Sequence, residues 1–140
     1  MVEVGPFAVL GSSKVTGEGV TIFLTGKKAL LQFDSGASLS LVAPPDGEFE
    51  GVLFYQDRGF GGTHRWDGNS GNQLAGVVYL PGGKLLSFGK NRLTPLRSCT
   101  VFIADQLEFN SDAEVPIDLT GPTCRGSLPR AVRRSVALLG

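Results

Sequence analysis

One strand-like stretch is written four times in this chain: "GVTIFLT" at 19–25, "GVLFYQD" at 51–57, "GVVYLPG" at 76–82 and "CTVFIAD" at 99–105. Each copy opens on Gly or Cys, continues with Val or Thr, and runs into mixed apolar residues with an aromatic among them. The leading residues Gly19, Gly51, Gly76 and Cys99 stand 32, 25 and 23 residues apart. Periods of about 20–50 residues mark solenoids, propellers and arrays. A propeller blade takes about 40–45 residues for its four strands, too many for these intervals. One coil of a β-helix fits them.

A second pattern recurs between the strands. "VLGSSKV" (9–15), "FDSGASL" (33–39) and "FNSDAEV" (109–115) place two apolar residues six positions apart across a polar turn, and "GNSGNQL" (68–74) is a weaker copy. Each unit therefore holds two kinds of short strand joined by turns. Helix is excluded from most of the chain, because Gly or Pro interrupts it every few residues up to Pro129. Each interruption costs a helix interior roughly 1–3 kcal/mol. The expected fold is all-β: a short right-handed parallel β-helix (β-solenoid) of about four rungs over residues 1–124. Its strands are expected near 20–24, 52–56, 77–80 and 100–104, in register. Residues 125–140 form a basic and apolar tail, expected as a helical or strand cap.

Like positions of successive coils stack about 4.8 Å apart. The aligned strands Val20–Phe23, Val52–Tyr55, Val77–Leu80 and Thr100–Ile103 are largely apolar at alternate positions of both kinds. One face is expected to fill the interior, and the other to be covered by loops, by the tail or by a partner. The longer first interval is assigned to "VAPPDGEFE" (42–50), where Pro-Pro and Asp-Gly signal turns.

Charge is balanced, with 13 basic and 13 acidic residues. Nothing in that balance calls for nucleic acid or an anionic membrane as a partner. No window of 18 apolar residues exists to form a transmembrane helix. The opening "MVEVGPFAVLGSSK" lacks the basic and apolar regions of a secretory signal peptide.

Four stretches carry a family resemblance: "GPFAVLGSSKVTGEGVTIFLTG", "LSLVAPPDGEFEGVLFYQDR", "GNQLAGVVYLPGGKLLSFGKN" and "CTVFIADQLEF". Together, and in this order, they resemble the carboxyl-terminal region of TadG-like proteins of the bacterial Tad (Flp pilus) assembly machinery. The resemblance spans residues 5–124. It implies a periplasmic or extracytoplasmic setting, and it implies other pilus-assembly proteins, or the remainder of a larger chain, as partners. No catalytic motif comes with it.

Candidate chemistry is sparse. His64, the single histidine, sits beside Arg65 and Trp66 in the Gly-rich stretch "RGFGGTHRWDGNSGN" (58–72). This reads as a surface loop and a possible binding loop. No GxSxG elbow supports a triad with His64. One His and two distant Cys do not make a zinc set, and the glycines form no phosphate loop. No metal or cofactor is expected. Asp57 and Asp105 occupy the same repeat position, two rungs or about 9.6 Å apart. Inverting glycosidases separate their carboxyl groups by about 6.5–9.5 Å. Against that, Asp is a routine turn residue at a strand end, and Arg58 is a ready ion-pair partner for Asp57.

Cys99 and Cys124 are 25 residues apart, close to one coil. They are either a disulfide between neighbouring coils or two separate thiols. The extracytoplasmic setting implied by the resemblance favours the disulfide, worth about 3–4 kcal/mol. Arg125, Arg130, Arg133 and Arg134 form a small basic cluster in the tail. There Leu128, Val132, Val136 and Leu139 would make one apolar stripe on a helix. That gives the carboxyl end a candidate cap, and leaves the amino-terminal rung as the expected edge for docking or self-association.

Two functions follow from this reading. The first is a non-catalytic structural or interaction module of a TadG-like pilus-assembly protein. The alternative is a carbohydrate-binding or glycan-cleaving β-helix, a glycoside hydrolase or lyase, acting on cell-envelope polysaccharide. One consequence is directly measurable. Titration of unfolded, unreduced protein from an oxidising compartment is expected to find no free thiol, whereas two titratable thiols would reject the Cys99–Cys124 pair.

Overall fold

Strands of three to six residues cannot satisfy their own backbone groups, so each must lie against another. The computed structural model describes residues 6–67, 72–88 and 94–110, with backbone alone for 88 and 94–99. Every strand pairing in it is parallel, and the sheet is wound into about four stacked coils. Three stacks of strands result. The first runs β1 (Phe7–Val9), β4 (Leu31–Phe33) and β7 (Gly62–Asp67), then the last parts of the long strands β8 (Gln73–Phe88) and β9 (Thr94–Asn110). The second runs β2 (Lys14–Glu18), β5 (Ser38–Val42) and the first parts of β8 and β9. The third runs β3 (Ile22–Leu24), β6 (Val52–Gln56) and the middle parts of β8 and β9. The protein is an all-β solenoid, and its described residues contain no helix.

The third stack contains the fourfold strand of the sequence, with one correction of register. Ile22 lies opposite Phe54, at the expected spacing. Between β6 and β8 the register slips, so Val52 faces Val77 but Phe54 faces Val78. The slip admits both Leu53 and Phe54 to the main core, where each is fully buried. One step on, Gly76 faces Thr100 rather than Cys99. A one-residue slip exchanges the two faces of a strand, so the register follows the residues that fill the interior. Here Val78 and Phe102 meet inside, and aligning small leading residues could not anticipate it.

The second sequence pattern is the first corner of the coil. Val9 faces Phe33 and Val15 faces Leu39, both as expected. In the weaker copy Leu74 faces Leu41 instead of Leu39. Glycines let these corners stack closely. A Cβ on Gly36 would lie 2.6 Å from the carbonyl oxygen of Gly11, and one on Gly61 would lie 2.7 Å from that of Gly82.

The interior is a column of large side chains. Phe33 meets Trp66 edge-on at 4.6 Å between ring centres, and Phe7, Phe54 and Phe102 continue the contact along the axis. Each fully buried side chain of this size contributes about 1.5–3 kcal/mol. A smaller cluster lies on the outside of the third stack, made of Val52, Val77 and Tyr79 with Tyr55, Val101 and Ile103. The expected insertion covers part of it. Residues 43–51 form a loop closed by a hydrogen bond from the Gly51 N–H to the Pro44 carbonyl, and Phe49 from this loop packs on Phe23 and Tyr55.

The tail 125–140, the boundary at 124 and the Cys99–Cys124 pairing lie outside the described residues and side chains. Among the described residues, no helix is long and apolar enough to cross a membrane. The corner geometry gives a clear expectation. Gly36→Ala destabilises the protein by roughly 1–3 kcal/mol, because backbone must move to admit the methyl group. Gly59→Ala, where the nearest atom is Asp57 Oδ1 at 3.5 Å, changes little. Denaturant midpoints of the two variants check the contrast.

Candidate functional site

Polar side chains inside a solenoid need partners, since an unpaired buried polar group costs about 1–3 kcal/mol. His64 lies on β7 and is fully buried. Its Nδ1 accepts the Leu31 backbone N–H at 3.0 Å. A neutral imidazole that accepts through Nδ1 carries its proton on Nε2. That Nε2–H donates to Gln56 Oε1 at 3.1 Å. Gly83 closes the other side, where a Cβ would lie 2.6 Å from His64 Nε2 and 3.0 Å from Gln56 Oε1. Burial lowers the His64 pKa from 6.5 to about 4, so the ring is neutral near pH 7.

Asn72 repeats this arrangement one corner further on. It is buried, and its Oδ1 accepts the Leu39 N–H at 3.0 Å. His64 and Asn72 each lie 33 residues after the amide they accept, the length of that coil. Each therefore reaches the coil before its own. Other ties also join neighbouring coils, Asp34 and Thr100 reaching back and Thr21 reaching forward. Asp34 Oδ2 accepts the Gly11 N–H at 2.9 Å, Thr21 Oγ1 donates to the Val52 carbonyl at 2.8 Å, and Thr100 Oγ1 donates to the Leu74 carbonyl at 2.7 Å.

The candidate residues of the sequence are thus redistributed. His64, Arg65 and Trp66 were expected in a surface loop, but they belong to β7. Alternation along the strand sends His64 and Trp66 inward, each with almost no exposure, and Arg65 outward to an ion pair with Asp67 at 3.2 Å. The preceding glycines suggested a loop, yet they serve the corner before the strand. As a result Trp66 offers no surface for a sugar ring. His64 is also not free to act as a base, because Nδ1 already holds a backbone proton donor.

Asp57 is exposed and accepts the Gly59 N–H at 2.9 Å, and the Phe60 N–H bonds back to the Asp57 carbonyl at 3.1 Å. This is a turn held by its own carboxylate. Asp105 is exposed at the corresponding corner of β9, with the Pro81–Gly83 corner of β8 between them. Arg58, the anticipated partner of Asp57, instead donates through Nε to the Tyr79 hydroxyl at 3.1 Å. Among the described residues, no group of three His, Cys, Asp or Glu side chains is placed to hold a metal ion.

Gln56 and Asn72 were not singled out by the sequence reading. The signal was available, since His64 and Asn72 stand at one common offset from Leu31 and Leu39. These side chains define the class of protein, a β-solenoid with a filled interior and polar ties between its coils. No protein-family model matches the chain, no curated protein matches it, and no solved structure matches it.

Asn72→Ala is expected to leave the Leu39 amide unpaired, at a cost of about 1–3 kcal/mol. Native-state hydrogen exchange at Leu39 should accelerate. An unchanged exchange rate would show that the tie does not hold this corner.

Proposed function

We propose that this chain is a non-catalytic structural and interaction module of a TadG-like pilus-assembly protein, working outside the cytoplasm. The supporting observation is how the resembling stretches fall on the coils. Residues 5–26 supply β1, β2 and β3, residues 39–58 span most of β5 and all of β6, residues 71–91 hold β8, and residues 99–109 lie in β9. The stretches thus cover strands of every coil while leaving out β4 and β7, and a stacking unit within a larger assembly is the role proposed for them.

Docking at the amino-terminal rung belongs to the same reading. Among the described residues, β1, β2 and β3 each have a strand neighbour on one side only. Phe7, Val15, Val20 and Ile22 are only partly buried against the core there. A rung presented by the remainder of a longer chain would complete both the hydrogen bonding and the apolar contact. A glycan-directed role has the shared corner of Asp57 and Asp105 as its support. Of the two aromatic residues it would use, Trp66 lies inside and Tyr55 is partly exposed.

The test is genetic. In the source bacterium, Val15→Lys is expected to impair surface piliation, because it places a charge at the docking rung. The double variant Asp57→Asn, Asp105→Asn is expected to leave piliation intact. Normal piliation with Val15→Lys would count against docking at this edge. Loss of a glycan-cleaving activity in the Asp variant would replace the proposal with the enzymatic reading.

A further inference from the structure

We propose that His64 is an acid-sensitive catch, whose protonation opens the seam between the second and third coils while the neighbouring Asn72 tie stays closed. The geometry carries this. Nδ1 accepts a backbone N–H, so a proton added there would face the Leu31 N–H, donor against donor. Nε2 already carries a proton toward Gln56. Among the described residues the new charge meets no counter-ion: the ring is held by Leu31 from β4 and Gln56 from β6, with Gly83 and Leu85 of β8 beside it. None of these titrates. The nearby charged side chains lie on the outer surface, Arg65 paired with Asp67 and Lys84 paired with Glu108 at 2.7 Å. The ring cannot simply turn to solvent either. β7 is held on both sides, by β4 and β8, and strand alternation directs position 64 inward.

The sign of the effect follows from the burial shift. The folded-state pKa, about 4, lies below the ordinary 6.5, so the unfolded chain takes up the proton first. The contribution of His64 to stability is complete above pH 6.5 and is lost as the pH falls through about 4. The molecule has an internal control. Leu39 is tied to Asn72 just as Leu31 is tied to His64, at the same offset and with a side chain that does not titrate.

The experiment uses the full chain. His64 is the only histidine, so its ring protons give one unambiguous NMR titration. The expected result is a midpoint well below 6.5, with protection of the Leu31 amide, corrected for intrinsic exchange, falling over the same range while Leu39 keeps its protection. In parallel, the folded-to-unfolded ratio of the wild type should fall between pH 7 and pH 4 by on the order of a hundredfold more than that of His64→Asn, which keeps an acceptor but cannot titrate. An ordinary midpoint near 6.5 in the folded protein would overturn the proposal. So would equal loss of protection at Leu31 and Leu39. Should His64→Asn fail to fold, the wild-type titration and the two amides decide the matter alone.

Discussion

The parallel backbone ladder between successive coils is the interaction on which everything else here depends. It sets the spacing of the coils, and that spacing decides which side chains meet. Where strands run straight, as from Gly62 to Asp67 against β8, the ladder is continuous. Where the chain turns a corner it is interrupted, and backbone donors and acceptors are left over. In this protein side chains one coil away take up several of those groups: His64 and Asn72 accept amides, and Thr21 and Thr100 donate to carbonyls. The polar interior is thus a consequence of the winding. It is not a site placed inside a core.

That view changes how individual residues are read. A lone histidine in a glycine-rich stretch looks like surface chemistry, and a nearby tryptophan looks like a binding platform. Both lie in the interior, His64 because a corner amide needs an acceptor and Trp66 because the column from Phe33 needs a large filler. Asp57 is a turn-former whose carboxylate is engaged by the Gly59 N–H. The outer surface of the third stack is the more unusual feature, with Tyr55 and Tyr79 stacked at 5.2 Å and Phe49 folded over the first coils from the 43–51 loop.

Much of the architecture was legible in the sequence because stacking forces like residues into like positions. The fourfold strand, the corner from Val9 to Val15 and from Phe33 to Leu39, and the insertion after Val42 all carry that imprint. Register was less legible. The slip after Val52 is settled by which side chains pack inside, and Gly76 and Cys99 give no hint of it. Least legible was the candidate site. Glycines before His64 mark a corner and a loop equally well, and only alternation along β7, once its start at Gly62 is known, separates inward His64 and Trp66 from outward Arg65.

The central claim is that consecutive coils stack in parallel with Gln32, Arg65, Leu86 and Glu108 at one level of the first stack. Inter-strand NMR contacts between backbone protons test it most directly. The account predicts contacts linking position 32 to 65, 65 to 86 and 86 to 108, in the pattern of parallel strands. Close Hα–Hα contacts between strands adjacent in sequence, the pattern of antiparallel hairpins, would contradict it.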